Sequence, residues 1–117
     1  MNPFIELRKG NFHLHVTGSL FPADLREIAE SVGVDTAQYE PLEKQYSVFE
    51  NPAIWSLAKE ITSTEIGLFE ALKKILQRER RDNVVYAEIT INPLGMKRRG
   101  LTDQQIINVL CETDKVA

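Results

Sequence analysis

Two short stretches with the chemistry of β-strands stand at opposite ends of a long helical pattern, and that separation limits the folds open to this chain. Asn11 to Val16 alternate strictly: Phe12, Leu14 and Val16 fall on one parity, Asn11, His13 and His15 on the other. Residues 84–91 are rich in β-branched side chains and form the second strand pattern. Strands separated by helices pair in parallel through a right-handed crossover. The expected class is therefore α/β, one domain spanning residues 1–117.

The intervening residues carry the helices. Pro22 suits a first helical position, and Leu25, Ile28, Ala29 and Val32 recur at helical spacing before Gly33. Residues 34–50, with Pro41, read as a loop holding one helical turn. Asn51-Pro52 reads as a cap and a first residue, followed by an apolar stripe at Ile54, Leu57, Ala58 and Ile61. Thr62-Ser63-Thr64-Glu65 matches a capping box that opens the next helix, with Leu68, Phe69, Leu72, Ile75 and Leu76 as its buried face. Thr102-Asp103-Gln104-Gln105 is a second such box, ahead of Ile106, Ile107, Val109 and Leu110. At the amino terminus Ile5 and Leu7 form a small extra strand in this reading, broken by Gly10.

His13 and His15 are the chemically pointed residues. Side chains two apart on a strand share a face, roughly 6–7 Å apart along it. Two imidazoles placed so, just before the Thr17-Gly18-Ser19 turn, can converge on one metal ion; a polar strand face is the plainer alternative.

The run His13-Leu14-His15-Val16-Thr17-Gly18-Ser19-Leu20-Phe21-Pro22, with Leu25 three residues on, resembles the first-strand signature of the adenosine deaminase family. Val84-Val85-Tyr86-Ala87-Glu88-Ile89, followed by Pro93 and Gly100-Leu101-Thr102, is similar to that family's second strand and the helix start after it. The resemblance implies the beginning of a (β/α)8 TIM barrel: two parallel strands with their helices, the barrel not closed, since a whole one takes about 250 residues. It implies zinc at His13 and His15, and substrate contacts at Thr17 and Gly18. It also implies an aminohydrolase in which zinc-activated water attacks C6 of an adenosine-like purine nucleoside and ammonia leaves. No catalytic acid or base is expected within these residues, because the family draws them from later strands, so the chain alone is expected to be inactive.

One position departs from the family pattern. Thr17 stands where the family commonly has an acidic residue against the ribose 5′-hydroxyl, which opens the site to a 5′-substituted or non-nucleoside substrate. Thr17 can equally serve only to shape the turn. Gly18 is read as a positive-φ or close-approach position, or as a plain turn glycine. Glu88 is expected to be a buried, satisfied carboxylate, and Lys97-Arg98-Arg99 a solvated cluster rather than an anion contact. Trp55 and Phe49 either flank a purine pocket or pack in the core, and Cys111 is a small apolar residue on the last helix.

Composition narrows the partners. A net charge of −3 argues against nucleic acid and anionic membrane, and no apolar run reaches the length of a span. The opening residues have no signal-peptide core, and a single cysteine suits a cytoplasmic protein. Two strands taken from a closed sheet leave edges and one face unpaired, so a homo-oligomer is expected. A non-catalytic truncated product or interaction module, and another His-x-His barrel hydrolase, are the competing functions.

Overall fold

The computed structural model describes residues 3–39 and 52–116. Strand β1 (Lys9–His15) runs into a 3-10 turn (Thr17–Ser19) and helix α1 (Pro22–Val32). A second 3-10 turn (Ala37–Tyr39) precedes α2 (Pro52–Ile61), α3 (Glu65–Arg81), strand β2 (Val84–Thr90), α4 (Pro93–Arg98) and α5 (Asp103–Val116). The strands pair in parallel, as expected of an α/β chain, and form a two-stranded sheet that is not closed. Phe49, most of the 34–50 loop and the Asn51 cap lie outside the described residues.

Local chemistry explains the helix ends. α1 starts on Pro22; the Asp24 carboxylate accepts the Phe21 N–H at 2.8 Å, and Gly33 closes the helix at φ 77°. Arg78 from α3 ties this corner together: it pairs with Asp24, donates to the Ser19 carbonyl at 2.8 Å, and stacks over the Phe21 ring at 4.3 Å. The cap of α3 is Thr64, whose Oγ1 accepts the Gly67 N–H at 2.9 Å. Thr62 and Ser63 instead finish α2, donating to the carbonyls of Ala58 (2.8 Å) and Lys59 (2.6 Å). The cap is thus two residues beyond the expected Thr62, and the expected box does not form, because Gly67 at the third helical position has no side chain to reach back. Gly67 is required by proximity, because a Cβ there would lie 1.6 Å from the Ile61 carbonyl oxygen. The box at α5 forms as expected: Thr102 N–H donates to Gln105 Oε1 at 2.9 Å, and Gln105 N–H donates back to Thr102 Oγ1 at 3.1 Å.

The core lies between the sheet and the helices. Leu25, Ile28, Ile54, Leu57, Ile61, Leu68 and Ile75 are fully enclosed, with Leu14 and Ile89 of the strands packed against them. Several expectations need correction. Residues 3–6 form turns rather than a strand, with Leu7 N–H donating to the Phe4 carbonyl at 3.0 Å. On α5 only Ile106, Val109 and Thr113 are buried; Ile107 and Leu110 face solvent, as does Cys111.

The larger correction concerns β1. Its register slips between Asn11 and Leu14, which pair with Ala87 and Ile89. Three residues of β1 therefore span two of β2, the count of a β-bulge. Strict alternation would send Phe12 into the core with Leu14 and Val16. Phe12 is instead 68% exposed, its ring 5.6 Å from that of Tyr86. Glu88 follows it outward and accepts the Tyr86 hydroxyl at 2.8 Å, so it is not the buried carboxylate expected.

Candidate functional site

His13 and His15 stand exposed on the same face of β1, with their rings together. The ring centroids are 4.8 Å apart, nearly edge to face, and the two Nε2 atoms approach to 3.1 Å. His15 pairs in register with Thr90, the last residue of β2. By alternation Tyr86, Glu88 and Thr90 share this face of β2.

The donor set fits a zinc ion in its first two ligands. Two imidazole nitrogens about 2.0–2.1 Å from a tetrahedral zinc lie about 3.4 Å from each other. The observed 3.1 Å lies close to that separation, and both rings are exposed on the same side. No group of three or more His, Cys, Asp or Glu side chains able to hold a metal occurs among the described residues. The two histidines are therefore a pair and not a complete cage.

Beside them, where the two parallel strands end, lies a cavity of about 310 Å³. This is the small end of the range for ligand pockets, in the position where open α/β sheets place their ligands. His15 and Thr17 border it from β1, Thr90 and Asn92 from β2, Trp55 and Lys59 from α2, and Gly95 and Arg99 from the α4 segment. Thr17 thus reaches the cavity. Gly18 does not line it; it sits in a right-handed 3-10 turn and is not one of the glycines with positive φ. Trp55 is half-buried, packing against the core on one side and lining the cavity on the other.

Helix α4 is what sequence reasoning missed, along with the cavity residues it carries. Its signal was present: Asn92-Pro93 is a cap followed by a first-position proline, and the Asn92 side chain accepts the Gly95 N–H at 3.1 Å. The basic cluster also divides. Lys97 turns outward to Asp103, 3.0 Å away, as a solvated residue would. Arg99 lines the cavity and donates to the Gly95 carbonyl at 3.2 Å.

Comparison with known proteins agrees with this architecture. No family model matches the chain. An adenine deaminase from Vibrio parahaemolyticus is 28% identical over 114 residues, covering 92% of this chain and 34% of that protein. An adenosine deaminase from Streptococcus thermophilus is 25% identical over 93% of the chain and 35% of its own length. An adenine deaminase from Trichlorobacter lovleyi is 31% identical over 87% of the chain and 31% of its own. Over this length the chain is a relative of the adenosine deaminase family. It spans about a third of the length of the curated relatives it matches. In fold, it superposes on the N6-methyl-AMP deaminase from Arabidopsis thaliana with a TM-score of 0.76 at 19% identity, covering 96% of this chain and 34% of that one. A second structure of the Arabidopsis enzyme gives 0.70 at 18% identity, covering 98% and 36%. No helix among the described residues is long and apolar enough to cross a membrane.

Proposed function

We propose that this chain is the amino-terminal segment of an adenosine-deaminase-like aminohydrolase, its two strands the first two of a (β/α)8 barrel. In this reading His13 and His15 are two ligands of its zinc ion. The observation that carries it is the 3.1 Å approach of their Nε2 atoms, with His15 bordering the cavity at the end of β1. Metal ligation requires the neutral imidazole at each position. When bound, zinc supplies a Lewis acid that brings the pKa of a water ligand to about 7.

The chain's own residues bind and orient. Thr17 borders the cavity and offers a neutral hydroxyl to a purine substrate, while Gly18, which does not line it, continues the turn behind Thr17. Trp55, Ile91 and Met96 give the cavity apolar surface for a base. General acid and base groups are assigned to none of these residues, so the 117-residue chain should not convert adenosine to inosine by itself.

Zinc calorimetry on the chain tests the reading. Binding far weaker than that of a three-ligand site is expected, and His13→Ala should abolish it. Zinc binding that survives the His13→Ala/His15→Ala double variant would remove the histidines from the site. Turnover of adenosine lost in His15→Ala would show that the segment is catalytically complete.

A further inference from the structure

His13 and His15 bring two Nε2 atoms to 3.1 Å, whereas a structural zinc site takes four protein ligands. Nothing among the described residues supplies the other two. Glu88, on the same face, already accepts the Tyr86 hydroxyl at 2.8 Å, and no group of three or more His, Cys, Asp or Glu side chains able to hold a metal occurs there. The chain has no third histidine, and its one cysteine, Cys111, stands exposed on α5.

The pair is also presented outward. Both imidazoles are exposed, and so are Phe12 and Tyr86 of the same two strands, whose rings lie 5.6 Å apart. Parallel sheets are normally covered on both faces, so these side chains mark a face suited to contact. A contact about a two-fold axis presents the same residues from both copies. An ion on that axis meets two imidazoles from each chain. Four imidazoles match the ligand count of tetrahedral zinc and a ligand type it accepts. Sheets packed face to face stand about 10 Å apart, a gap that opposed imidazoles bridge through a metal. Charge points the same way. Each copy brings Glu88 to this face, and two opposed carboxylates repel unless a cation lies between the copies.

We propose that zinc joins two copies of this chain face to face. His13 and His15 of each copy supply its four ligands, and Phe12 and Tyr86 pack around them. This rests on the deaminase reading in one respect, that the two histidines bind zinc. A single copy in dilute solution holds the ion weakly through two ligands; a second copy replaces solvent in the remaining positions. Zinc affinity therefore rises with chain concentration, by mass action.

Light scattering of the 117-residue chain over a range of concentrations tests this, with zinc, with magnesium or with EDTA, and calorimetry gives the stoichiometry. Zinc should tighten self-association at least about tenfold, or about 1.4 kcal/mol. It should bind as one ion per two chains, and EDTA should reverse the effect. Magnesium, which takes oxygen ligands, should have none. His13→Ala and His15→Ala should each abolish the zinc effect, while Cys111→Ser leaves it intact. Tyr86→Lys, which sets like charges across the contact, should weaken the joined dimer and leave the weak binding of zinc by a single chain. Circular dichroism confirms that each variant is folded. One zinc per chain with no gain in mass overturns the proposal and leaves the deaminase reading standing. So do an equal effect of magnesium, aggregates larger than a dimer, a joined dimer that Tyr86→Lys leaves as tight, or a zinc effect that needs Cys111 as well as the histidines. Zinc binding unchanged in the His13→Ala/His15→Ala double variant overturns both readings, as does a chain that binds no zinc.

Discussion

On the helix side of the sheet, Leu14 and Ile89 pack against a core in which Leu25, Ile28 and Leu57 are completely enclosed. On the other side Phe12, His13, His15, Tyr86 and Glu88 stand exposed on the same two strands. The faces differ in what they can contribute. Apolar area removed from water stabilises by about 25 cal/mol per Å², so the fold's free energy resides with the helices. The open face contributes little to folding, and that leaves its side chains free for chemistry. It also leaves a parallel sheet half covered, whereas such sheets are normally buried on both faces.

The largest test of this contrast is mutational. Leu57→Ala should cost about 2–5 kcal/mol in urea unfolding, since the side chain is wholly enclosed. Phe12→Ser, although it removes a larger side chain, should fall within about 0.5 kcal/mol, as exposed substitutions do. Comparable losses would mean that the open face is covered in solution, and so would sharpen the next test. Gly67→Ala should follow, at about 1–3 kcal/mol, because the added methyl meets the Ile61 carbonyl and neither backbone segment can yield cheaply.

The contrast extends to assembly. Both strands of the pair are edge strands, and the exposed Phe12–Tyr86 pair sits beside them. Unpaired edges with apolar flanks template association, so we expect a two-fold dimer at micromolar concentration. Light scattering checks it, and Tyr86→Lys should shift the population toward monomer. A monodisperse monomer that unfolds cooperatively would show that one covered face is enough.

The sequence carried the helix side well and the open side poorly. α1 was legible because Pro22, the Leu25/Ile28/Ala29 stripe and Gly33 are all local signals; so was the box at Thr102 and Gln105. The bulge was not. It arises from how β1 meets β2, and Phe12 looks like a core residue until its partner strand is placed. Thr62, Ser63 and Thr64 are each acceptable caps, and only the close approach of α2 to Gly67 selects Thr64. The shared face of His13 and His15 was legible because a strand fixes their spacing, but the 3.1 Å approach of their rings was not. Lys59 and Arg99 were not, because the cavity gathers them from helices far apart in sequence.

The smallest expected effect concerns the open face itself. The Tyr86 hydroxyl donates to Glu88, and the nearby carboxylate disfavours the phenolate, so the phenol's pKa is raised above its ordinary 10.0. The sign follows from both causes: the hydrogen bond stabilises the neutral phenol, and the negative charge opposes a second one. Glu88→Gln should therefore bring the Tyr86 midpoint down toward 10.0, with little change in stability because both side chains are exposed. Titration followed by NMR of the Tyr86 ring separates it from Tyr39 and Tyr46. An unshifted midpoint in the parent chain would mean that Tyr86 and Glu88 do not meet. The alternation that places Tyr86, Glu88 and Thr90 on the histidine face would then fail at its most exposed point. A midpoint that rises further on dimerisation would show that this face is the one a second copy covers, since desolvation also disfavours the phenolate.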